Sequence, residues 1–408
     1  MKKKTYAGLD ISENFITCSI CSSDEKGIAL LGSASVAAKG IANGTISDIS
    51  EVALAVASAV EKAEAASKTK VLSLLASCDG PALKVYNTKG SITVADKENE
   101  IGRREVERVT EAAKTIALPY DREIVHTITR EFIVDGQDAI KDPTGMFGSR
   151  LEVDMEFVTA LVSNLHNLRM TINSAGFEIQ NVVLSGVAAA NAILEELDKD
   201  LGVIFIYITY SSTHIVVYNG LEIRSIEVIP LGSGDVIEPL TGAFKLPADY
   251  AEGLLKREVN LDKPLSPEDD KISMRLGGSS RSLSRQAVVD AVKPVAEKLI
   301  ARITETVRKM NSAKEAATGC VVAGELAGLG GFLEMLEISL AMPVKMGLLR
   351  DVSGGDLSTV QPGQIVSIGL AKYWSKEGAG KKVRRNIFGN SPIGKVFERI
   401  NQIFSEYF

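Results

Sequence analysis

The sequence predicts an α/β protein built from two related lobes, and three observations support this. Its 408 residues, 45% apolar and 24% charged, are enough for more than one hydrophobic core of ordinary size. Strand-like and helix-like segments alternate along most of the chain. A pattern of strand, polar turn and strand, followed by helices, begins near Tyr6 and again near Val203. That repetition indicates a weak internal duplication.

Composition excludes several classes of protein. The formal charge of −6 and a pI near 5.4 argue against a general nucleic-acid binder. Four cysteines in 408 residues are typical of a reducing compartment. The basic residues 1–4 precede no apolar stretch of a signal peptide, and no apolar run reaches the roughly 18 residues of a membrane span. We therefore expect a cytoplasmic globular protein.

The first predicted lobe opens with strands at 6–10 and 15–20, joined by the polar turn 11–14. A helix capped by Ser47 or Asp48 follows as far as residue 66, and then a strand at 71–76 that ends at the breaker Asp79-Gly80-Pro81. After that, strand-like pieces at 82–86, 91–95, 123–129 and 151–159 surround one helix at 103–117. This stretch reads as a small inserted α+β unit, with a surface loop at 134–148.

The chain then returns to alternating elements. A helix from residue 164 ends at Gly176, and a strand at 182–184 and a helix at 186–197 follow. A buried strand at 203–208 precedes a hairpin of 213–218 and 222–229 around the turn Asn219-Gly220. The remaining predictions are a long helix at 284–310, a buried strand at 320–323 and a closing helix at 361–374.

The C-terminal segment has two parts. Residues 375–391 contain three glycines and the basic cluster Lys381, Lys382, Arg384 and Arg385, which predicts a flexible linker. Beyond it, apolar residues at spacings of three and four fill an arc of roughly 140° on a helical wheel. These residues are Ile393, Val396, Phe397, Ile400, Ile403, Phe404, Tyr407 and Phe408.

A helix over 392–408 would be about 24 Å long, too short to cross a bilayer. Its aromatic-rich apolar face beside a basic cluster favours a helix that lies in the membrane interface and meets anionic lipid. The alternative is that the helix docks in a groove of its own fold or of a partner.

Two stretches carry a resemblance to a known family. Residues 121–137 and 141–153 are very similar to the inserted subdomain, called 1C, of the bacterial cell-division protein FtsA. The second of these contains the specific motif Asp142-Pro143-Thr144-Gly145-Met146-Phe147-Gly148. Residues 164–177 resemble the family's helix that returns to lobe 1, and residues 230–235 the start of the outer part of lobe 2. The resemblance covers nearly the whole chain.

The resemblance implies an actin-like fold, in which two duplicated RNase H-like lobes face each other across a nucleotide cleft. It divides the chain into the lobe 1 core (1–81 and 161–197), subdomain 1C (82–160), the lobe 2 core (198–240 and 319–345), the outer part of lobe 2 (241–318), a return to lobe 1 (346–375), a linker (376–391) and a membrane-targeting helix (392–408).

The cofactor that the resemblance implies is ATP with Mg²⁺, held by glycine-rich turns whose backbone N–H groups approach phosphate. This sequence departs from that pattern three times. The first turn, Gly8-Leu9-Asp10-Ile11-Ser12-Glu13, keeps the acid and loses a glycine. The second, Tyr207-Ile208-Thr209-Tyr210-Ser211-Ser212-Thr213-His214, loses three glycines and both acids, and the adenosine-side turn becomes Ala323-Gly324-Glu325-Leu326.

These departures predict a scaffold that does not hydrolyse ATP and whose cleft is partly filled by side chains. No catalytic residue is assigned. If nucleotide binds, the contacting positions are Asp10, Ser12, Ser211, Ser212, Thr213, Glu252 and Gly324, with Glu252 in an Ala-Glu-x-x-Lys pattern that is out of register. A functional ATPase with a divergent cleft is the alternative from the enzyme class.

The resemblance also implies partners. They are FtsZ filaments, the cytoplasmic face of the membrane at the division site, further copies of the chain, and later division proteins or an intact FtsA. Nucleic acid is not among them. Arg281 and Arg285 are predicted at the start of a helix, where the family receives the FtsZ peptide. Their guanidinium groups could pair with a carboxylate of that peptide. A solvated helix N-terminus explains the two arginines equally well. An actin-like scaffold for another membrane machine, such as a pilus platform, remains a further alternative.

No metal site is predicted. Cys18-x-x-Cys21 has no second pair and falls within a strand, so buried structural cysteines are expected. The three histidines are scattered, and His214 is interpreted as a histidine at a strand end.

Overall fold

The computed structural model describes residues 4–24, 27–94, 99–262, 270–276, 279–355 and 360–380. The predicted membrane-targeting helix at 392–408 and the basic cluster before it lie outside the described residues. Within the described part of the chain, no helix is both long enough and apolar enough to span a membrane.

The described elements alternate between strands and helices. The strands are β1 (Lys4–Ile11), β2 (Phe15–Asp24), β3 (Gly27–Ala37), β4 (Ile41–Ala42), β5 (Thr45–Ile46), β6 (Ser73–Cys78), β7 (Lys84–Thr93), β8 (Arg122–Val134), β9 (Gln137–Ile140), β10 (Arg150–Leu161), β11 (Glu178–Leu184), β12 (Val203–Ile208), β13 (Thr213–Asn219), β14 (Glu222–Ile229), β15 (Lys271–Leu276), β16 (Ser279–Ser284), β17 (Cys320–Gly324), β18 (Val344–Met346) and β19 (Val352–Ser353). The helices are α1 (Ile49–Ser67), α2 (Arg103–Ala117), α3 (Val162–Ser174), α4 (Ser185–Ile193), α5 (Glu196–Leu201), α6 (Ser233–Phe244), α7 (Ala248–Glu258), α8 (Arg285–Lys309), α9 (Phe332–Leu340) and α10 (Pro362–Gly380).

Lobe 1 is built on a six-stranded sheet with the order β11-β6-β1-β2-β3-β19. The three strands β1, β2 and β3 pair antiparallel, and β6 and β11 continue the sheet parallel to β1. The helix α1 begins at Asp48, whose carboxylate accepts from the backbone N–H groups of Ser50 and Glu51, as the capping pattern predicts. Cys18 and Cys21 are buried on β2 as reduced thiols.

Lobe 2 repeats the arrangement of lobe 1 in a five-stranded sheet with the order β14-β13-β12-β17-β18. Three antiparallel strands come first, and β17 and β18 then join parallel to β12. The order matches β3-β2-β1-β6-β11 of lobe 1 strand for strand. The internal duplication that the sequence indicates only weakly is therefore clear in the topology.

The inserted unit between β6 and α3 is a four-stranded antiparallel sheet of order β7-β10-β8-β9 with α2 packed on one face. The two predicted strands at 82–86 and 91–95 are in fact the single strand β7. The turn-like residues between them stay in the ladder because β7 pairs with β10 throughout. Gly90 is needed there for close packing, since a Cβ at this position would lie 2.6 Å from the carbonyl oxygen of Val109 in α2.

The outer part of lobe 2 consists of α6, α7, the hairpin β15–β16 and α8. The prediction that Arg281 lies at a helix start is wrong, because Arg281 lies in β16 and only Arg285 begins α8. The serine-rich sequence 279–284 hid this strand, since it pairs only with β15 and lacks the apolar alternation of a half-buried strand.

The closing helix α10 packs on β1, β2 and α4 and completes lobe 1. Two glycines permit the close contact. A Cβ on Gly8 would lie 2.0 Å from the carbonyl oxygen of Ser367, and one on Gly369 would lie 1.9 Å from that of Ala188. The helix is described as far as Gly380, five residues into the segment expected to be a linker.

One hydrophobic cluster joins all three parts of the molecule. It contains Leu184 and Val366 of lobe 1, Val158 of the inserted unit, and Phe205 and Val216 of lobe 2. The two lobes therefore share a core at the base of the cleft, and the inserted unit is anchored to the same core.

Candidate functional site: the cleft between the lobes

The cleft between the lobes contains a cavity of about 200 Å³ lined by residues of both. Lobe 1 contributes Asp10, Ser12, Thr17 and Asp79, and the start of α10 contributes Gln361 and Pro362. Lobe 2 contributes Tyr207, Thr209, Glu252, Lys256 and Glu325. Four carboxyl groups therefore face one lysine.

The turn between β1 and β2 holds the acid that the sequence analysis singled out. Asp10 is buried at the end of β1, and burial raises its pKa to about 7; a hydrogen bond with Ser77 opposes the shift, and the carboxylates of Asp79 and Glu325 add to it. The polar groups of Ser12 are occupied within the turn, since its backbone N–H and its hydroxyl both donate to the carbonyl of Phe15 at 3.0 and 2.8 Å.

The turn between β12 and β13 also satisfies its own polar groups. The backbone N–H of Ser212 donates to Oγ1 of Thr209 at 3.1 Å, and the backbone N–H of Thr209 donates to the carbonyl of Ser212 at 2.9 Å. The hydroxyl of Thr213 donates to the carbonyl of Leu231 at 2.8 Å. These groups therefore already have hydrogen-bond partners within lobe 2.

His214 follows this turn as the second residue of β13, and it is fully buried. Its Nε2 lies 2.7 Å from Oδ1 of Asp79, at the carboxyl end of β6 in lobe 1, and 3.0 Å from Oγ of Ser212. Oγ of Ser212 lies 2.5 Å from the same Oδ1. The interpretation of His214 as a histidine at a strand end is right about its place in β13, but it missed the partner across the cleft.

The electrostatics of Asp79 reflect these contacts. Burial alone would raise the pKa of its carboxyl, but contact with His214 and hydrogen bonds from Ser212 and Thr209 outweigh burial and hold the pKa below its ordinary value. Asp79 is therefore a carboxylate at neutral pH.

The adenosine-side turn carries a buried acid of its own. Gly324 has φ +101°, and a Cβ there would lie 2.0 Å from the carbonyl oxygen of Ile208, so only glycine fits. The hydroxyl of Ser233 donates to the carboxyl of Glu325. Burial raises the pKa of Glu325 to about 7, the hydrogen bond from Ser233 lowers it, and the charge of Glu252 adds to the rise.

Of the seven positions that the sequence predicts as nucleotide contacts, Asp10, Ser12 and Glu252 line the cavity. Glu252 is paired with Lys256 at 2.5 Å. Ser211, Ser212, Thr213 and Gly324 form the surrounding turns. Sequence reasoning missed Asp79, which it took only as part of a strand breaker. Its place after a parallel strand was the available signal, because ligand-contacting residues collect at the carboxyl ends of such strands.

The predicted peptide-binding arginines lie apart from the cleft. A guanidinium N–H of Arg281 donates to the carbonyl of Phe244 at 3.4 Å, and Arg285 forms an ion pair with Glu258 of α7. The described residues contain no group of three or more His, Cys, Asp or Glu side chains placed to hold a metal ion.

Comparison with known proteins shows which family this chain resembles. The family model described as "SHS2 domain inserted in FTSA" matches residues 80–159, the inserted unit. The cell division protein FtsA of Pseudomonas aeruginosa is 25% identical over 406 residues, covering 98% of this chain and 97% of that protein. The FtsA of Borreliella burgdorferi is 28% identical over 414 residues, covering 100% and 98%. This chain is similar to the cell division protein FtsA along nearly its whole length.

Solved structures agree on the fold. A chain of the PilM-PilN type IV pilus biogenesis complex superposes with a TM-score of 0.64 at 14% identity, covering 90% of this chain and 97% of that one. A chain of the MamK double helical filament gives a TM-score of 0.50 at 13% identity, covering 91% and 98%. The FtsA-like chain therefore has an actin-like fold with an SHS2 unit inserted in lobe 1.

Proposed function

We propose that this FtsA-like chain acts in cell division as an adaptor that tethers FtsZ filaments to the cytoplasmic membrane and assembles with copies of itself. The observation that carries the proposal is the SHS2 unit inserted in lobe 1 of an actin-like fold, together with likeness to FtsA along nearly the full length of both chains. An actin-like fold shared with a filament-forming protein supports self-association.

Attachment to the membrane rests on the sequence of the C-terminal segment. One amphipathic helix binds lipid weakly and reversibly. Polymerisation would hold many such helices at one surface, so that each further contact becomes intramolecular and the assembly binds firmly. Binding to the membrane is therefore expected to become stronger when the chain assembles or when FtsZ polymerises.

FtsZ recognition is assigned to the surface around β16 and the start of α8. The Arg281 side chain is exposed, and among the described residues it donates to the carbonyl of Phe244 at the long distance of 3.4 Å, so its charge can meet an incoming carboxylate. Arg285 already pairs with Glu258, so a peptide carboxylate there would have to compete with that residue.

We infer a scaffold rather than an ATPase from the contents of the cleft. A nucleoside triphosphate would meet four acidic side chains and a single lysine that is already paired. Two backbone N–H groups of the second turn are occupied within the turn. The cavity of about 200 Å³ is below the roughly 300–1,000 Å³ of typical small-molecule pockets. These residues do not fit ATP with Mg²⁺.

A second candidate function is a scaffold for another membrane machine, favoured by the TM-score of 0.64 with a chain of the PilM-PilN complex. Both functions use the same fold, so only the partner distinguishes them. Co-sedimentation with FtsZ from the same organism supports the division adaptor, and failure to sediment with FtsZ favours the alternative.

The membrane assignment is tested by sedimentation with vesicles that contain anionic phosphatidylglycerol. We expect the full chain to sediment with the vesicles and a chain lacking residues 392–408 to stay in solution. Phe404→Asp on the apolar face should abolish sedimentation, while the matched control Ser405→Asp on the polar face should reduce it only slightly. Sedimentation of the truncated chain would overturn the anchor.

A further inference from the structure

Three polar side chains connect the two lobes at the centre of the cleft. Asp79 belongs to lobe 1, and Ser212 and His214 belong to lobe 2. A single carboxylate oxygen of Asp79 lies within hydrogen-bonding distance of both partners, at 2.5 Å from Ser212 Oγ and 2.7 Å from His214 Nε2.

These groups are removed from solvent. His214 and Ser212 are fully buried, and the side chain of Asp79 is 11% exposed. A buried carboxylate that loses its hydrogen-bond partners is strongly destabilised, and so are partners left without it. Any separation of the lobes at this point breaks both contacts at once.

The backbone on both sides is packed closely enough to hold the contact in place. A Cβ on Gly186, at the start of α4 in lobe 1, would lie 2.5 Å from Cβ of His214. Gly44 of lobe 1 is similarly close, since a Cβ there would lie 3.1 Å from Oγ of Ser211 in lobe 2. The hydroxyl of Tyr207 in lobe 2 donates to the carbonyl of Pro362 in lobe 1 at 3.1 Å.

We propose that Asp79, Ser212 and His214 form a latch that holds the two lobes together without a bound nucleotide. The carboxylate of Asp79 supplies, from within the chain, a negative group that both the Ser212 hydroxyl and the His214 ring of lobe 2 bind. The relative position of the lobes is then set by the protein itself. The latch depends on neither membrane attachment nor FtsZ binding, so its test is independent of theirs.

The test measures the distance between the lobes in the full chain with two spin labels. Leu54 on α1 of lobe 1 and Ile338 on α9 of lobe 2 are 74% and 80% exposed and can be replaced by cysteine for labelling. The four natural cysteines are buried, and burial raises the pKa of Cys18, Cys21 and Cys78 to about 12, so they resist labelling.

In the otherwise natural protein we expect one narrow distance distribution that Mg·ATP at millimolar concentration leaves unchanged. Asp79→Ala should give a longer and broader distribution, and His214→Ala should reproduce it. Combining the two should add little further change, because either substitution alone opens the latch.

Glu64→Gln is the matched control. Glu64 is a buried carboxylate whose partners, Lys70 and the backbone N–H of Val71, both lie in lobe 1. It should leave the distance unchanged. Should Asp79→Ala fail to fold, the near-isosteric Asp79→Asn takes its place. An unchanged distribution in the Asp79 variant, or marked narrowing of the natural protein by Mg·ATP, overturns the proposal.

Discussion

At the scale of single residues, the cleft contains two carboxyl groups whose burial lifts their pKa values to about 7, Asp10 and Glu325. A group of this kind is protonated in the folded protein at mildly acidic pH but ionised in the unfolded chain. The folded state therefore binds more protons, and its stability falls as the pH rises towards 7. Asp79 shows the opposite shift, because its partners favour the charged form.

Glu325→Gln isolates this effect, because glutamine resembles the protonated acid. We expect the variant and the natural protein to be about equally stable at pH 5. At pH 8 the variant should be more stable, by at most about 3 kcal/mol, since ionisation of Glu325 destabilises only the natural protein. Urea unfolding at both pH values measures the difference.

Asp138→Asn, at an exposed position on β9, is the control for the loss of a carboxyl group at the surface. If the difference in the free energy of unfolding between the Glu325 variant and the natural protein is the same at pH 5 and pH 8, ionisation of Glu325 does not destabilise the folded state.

Gly369→Ala tests the close contact between α10 and α4. The new Cβ would lie 1.9 Å from the carbonyl oxygen of Ala188, so the helices must move apart. We expect a loss of about 1–3 kcal/mol or more in the free energy of unfolding, measured in urea.

Gly242→Ala is the matched control, because it lies in α6 and a Cβ there meets nothing within 4 Å. Alanine favours the helical conformation at such a site, so this variant should be as stable as the natural protein or up to about 1 kcal/mol more stable. Equal changes in the free energy of unfolding for the two substitutions would show that the contact between α10 and α4 does not require glycine at position 369.

At the scale of secondary-structure elements, one buried acid of the inserted SHS2 unit makes hydrogen bonds to lobe 2. Glu156 of β10 accepts from the backbone N–H of Ile226 at 2.5 Å and from the hydroxyl of Ser225 at 2.9 Å, and it pairs with Arg130 of β8. Its side chain is fully buried. The orientation of the inserted unit relative to β14 therefore depends on this carboxylate.

Glu156→Ala should lower the free energy of unfolding by roughly 3–5 kcal/mol, because Arg130 and the β14 donors lose their common partner. It should also speed hydrogen exchange at the backbone amides of β14. A substitution whose effect stays within the SHS2 unit would leave these amides protected. Glu152→Ala on the same strand, which breaks a more exposed pair with Arg150, should change stability by about 1 kcal/mol or less. Slow exchange at β14 in the Glu156 variant would contradict this role.

At the scale of the whole molecule, the proposed scaffold role predicts how the protein responds to nucleotide. Titration of the full chain with Mg·ATP up to millimolar concentration should release no heat of binding and should not shift the thermal unfolding temperature. Saturable binding at micromolar concentration would mean that Thr209, Tyr210 and Glu325 rearrange around a nucleotide, and an ATP-dependent adaptor would replace the scaffold.

The sequence by itself predicted many of the elements and the kind of protein. Local patterns are sufficient for this, because helix caps, apolar periodicity and turn residues act over a few neighbouring residues. The cap at Asp48, the hairpin around Asn219-Gly220 and the buried strand β12 were all predicted and are confirmed. The motif of the inserted unit identified the resemblance to FtsA, which the comparisons bear out.

The tertiary structure alone decided how distant residues combine. Residues 79 and 214 are 135 positions apart, and nothing local to either predicts their contact. Gly90 and Gly369 look like weak points of a strand and a helix until the packing of α2 and α4 explains them. Local free energies set each element, but the partners of a buried charge are chosen by the whole fold, since desolvation is relieved only by groups that packing brings within hydrogen-bonding distance.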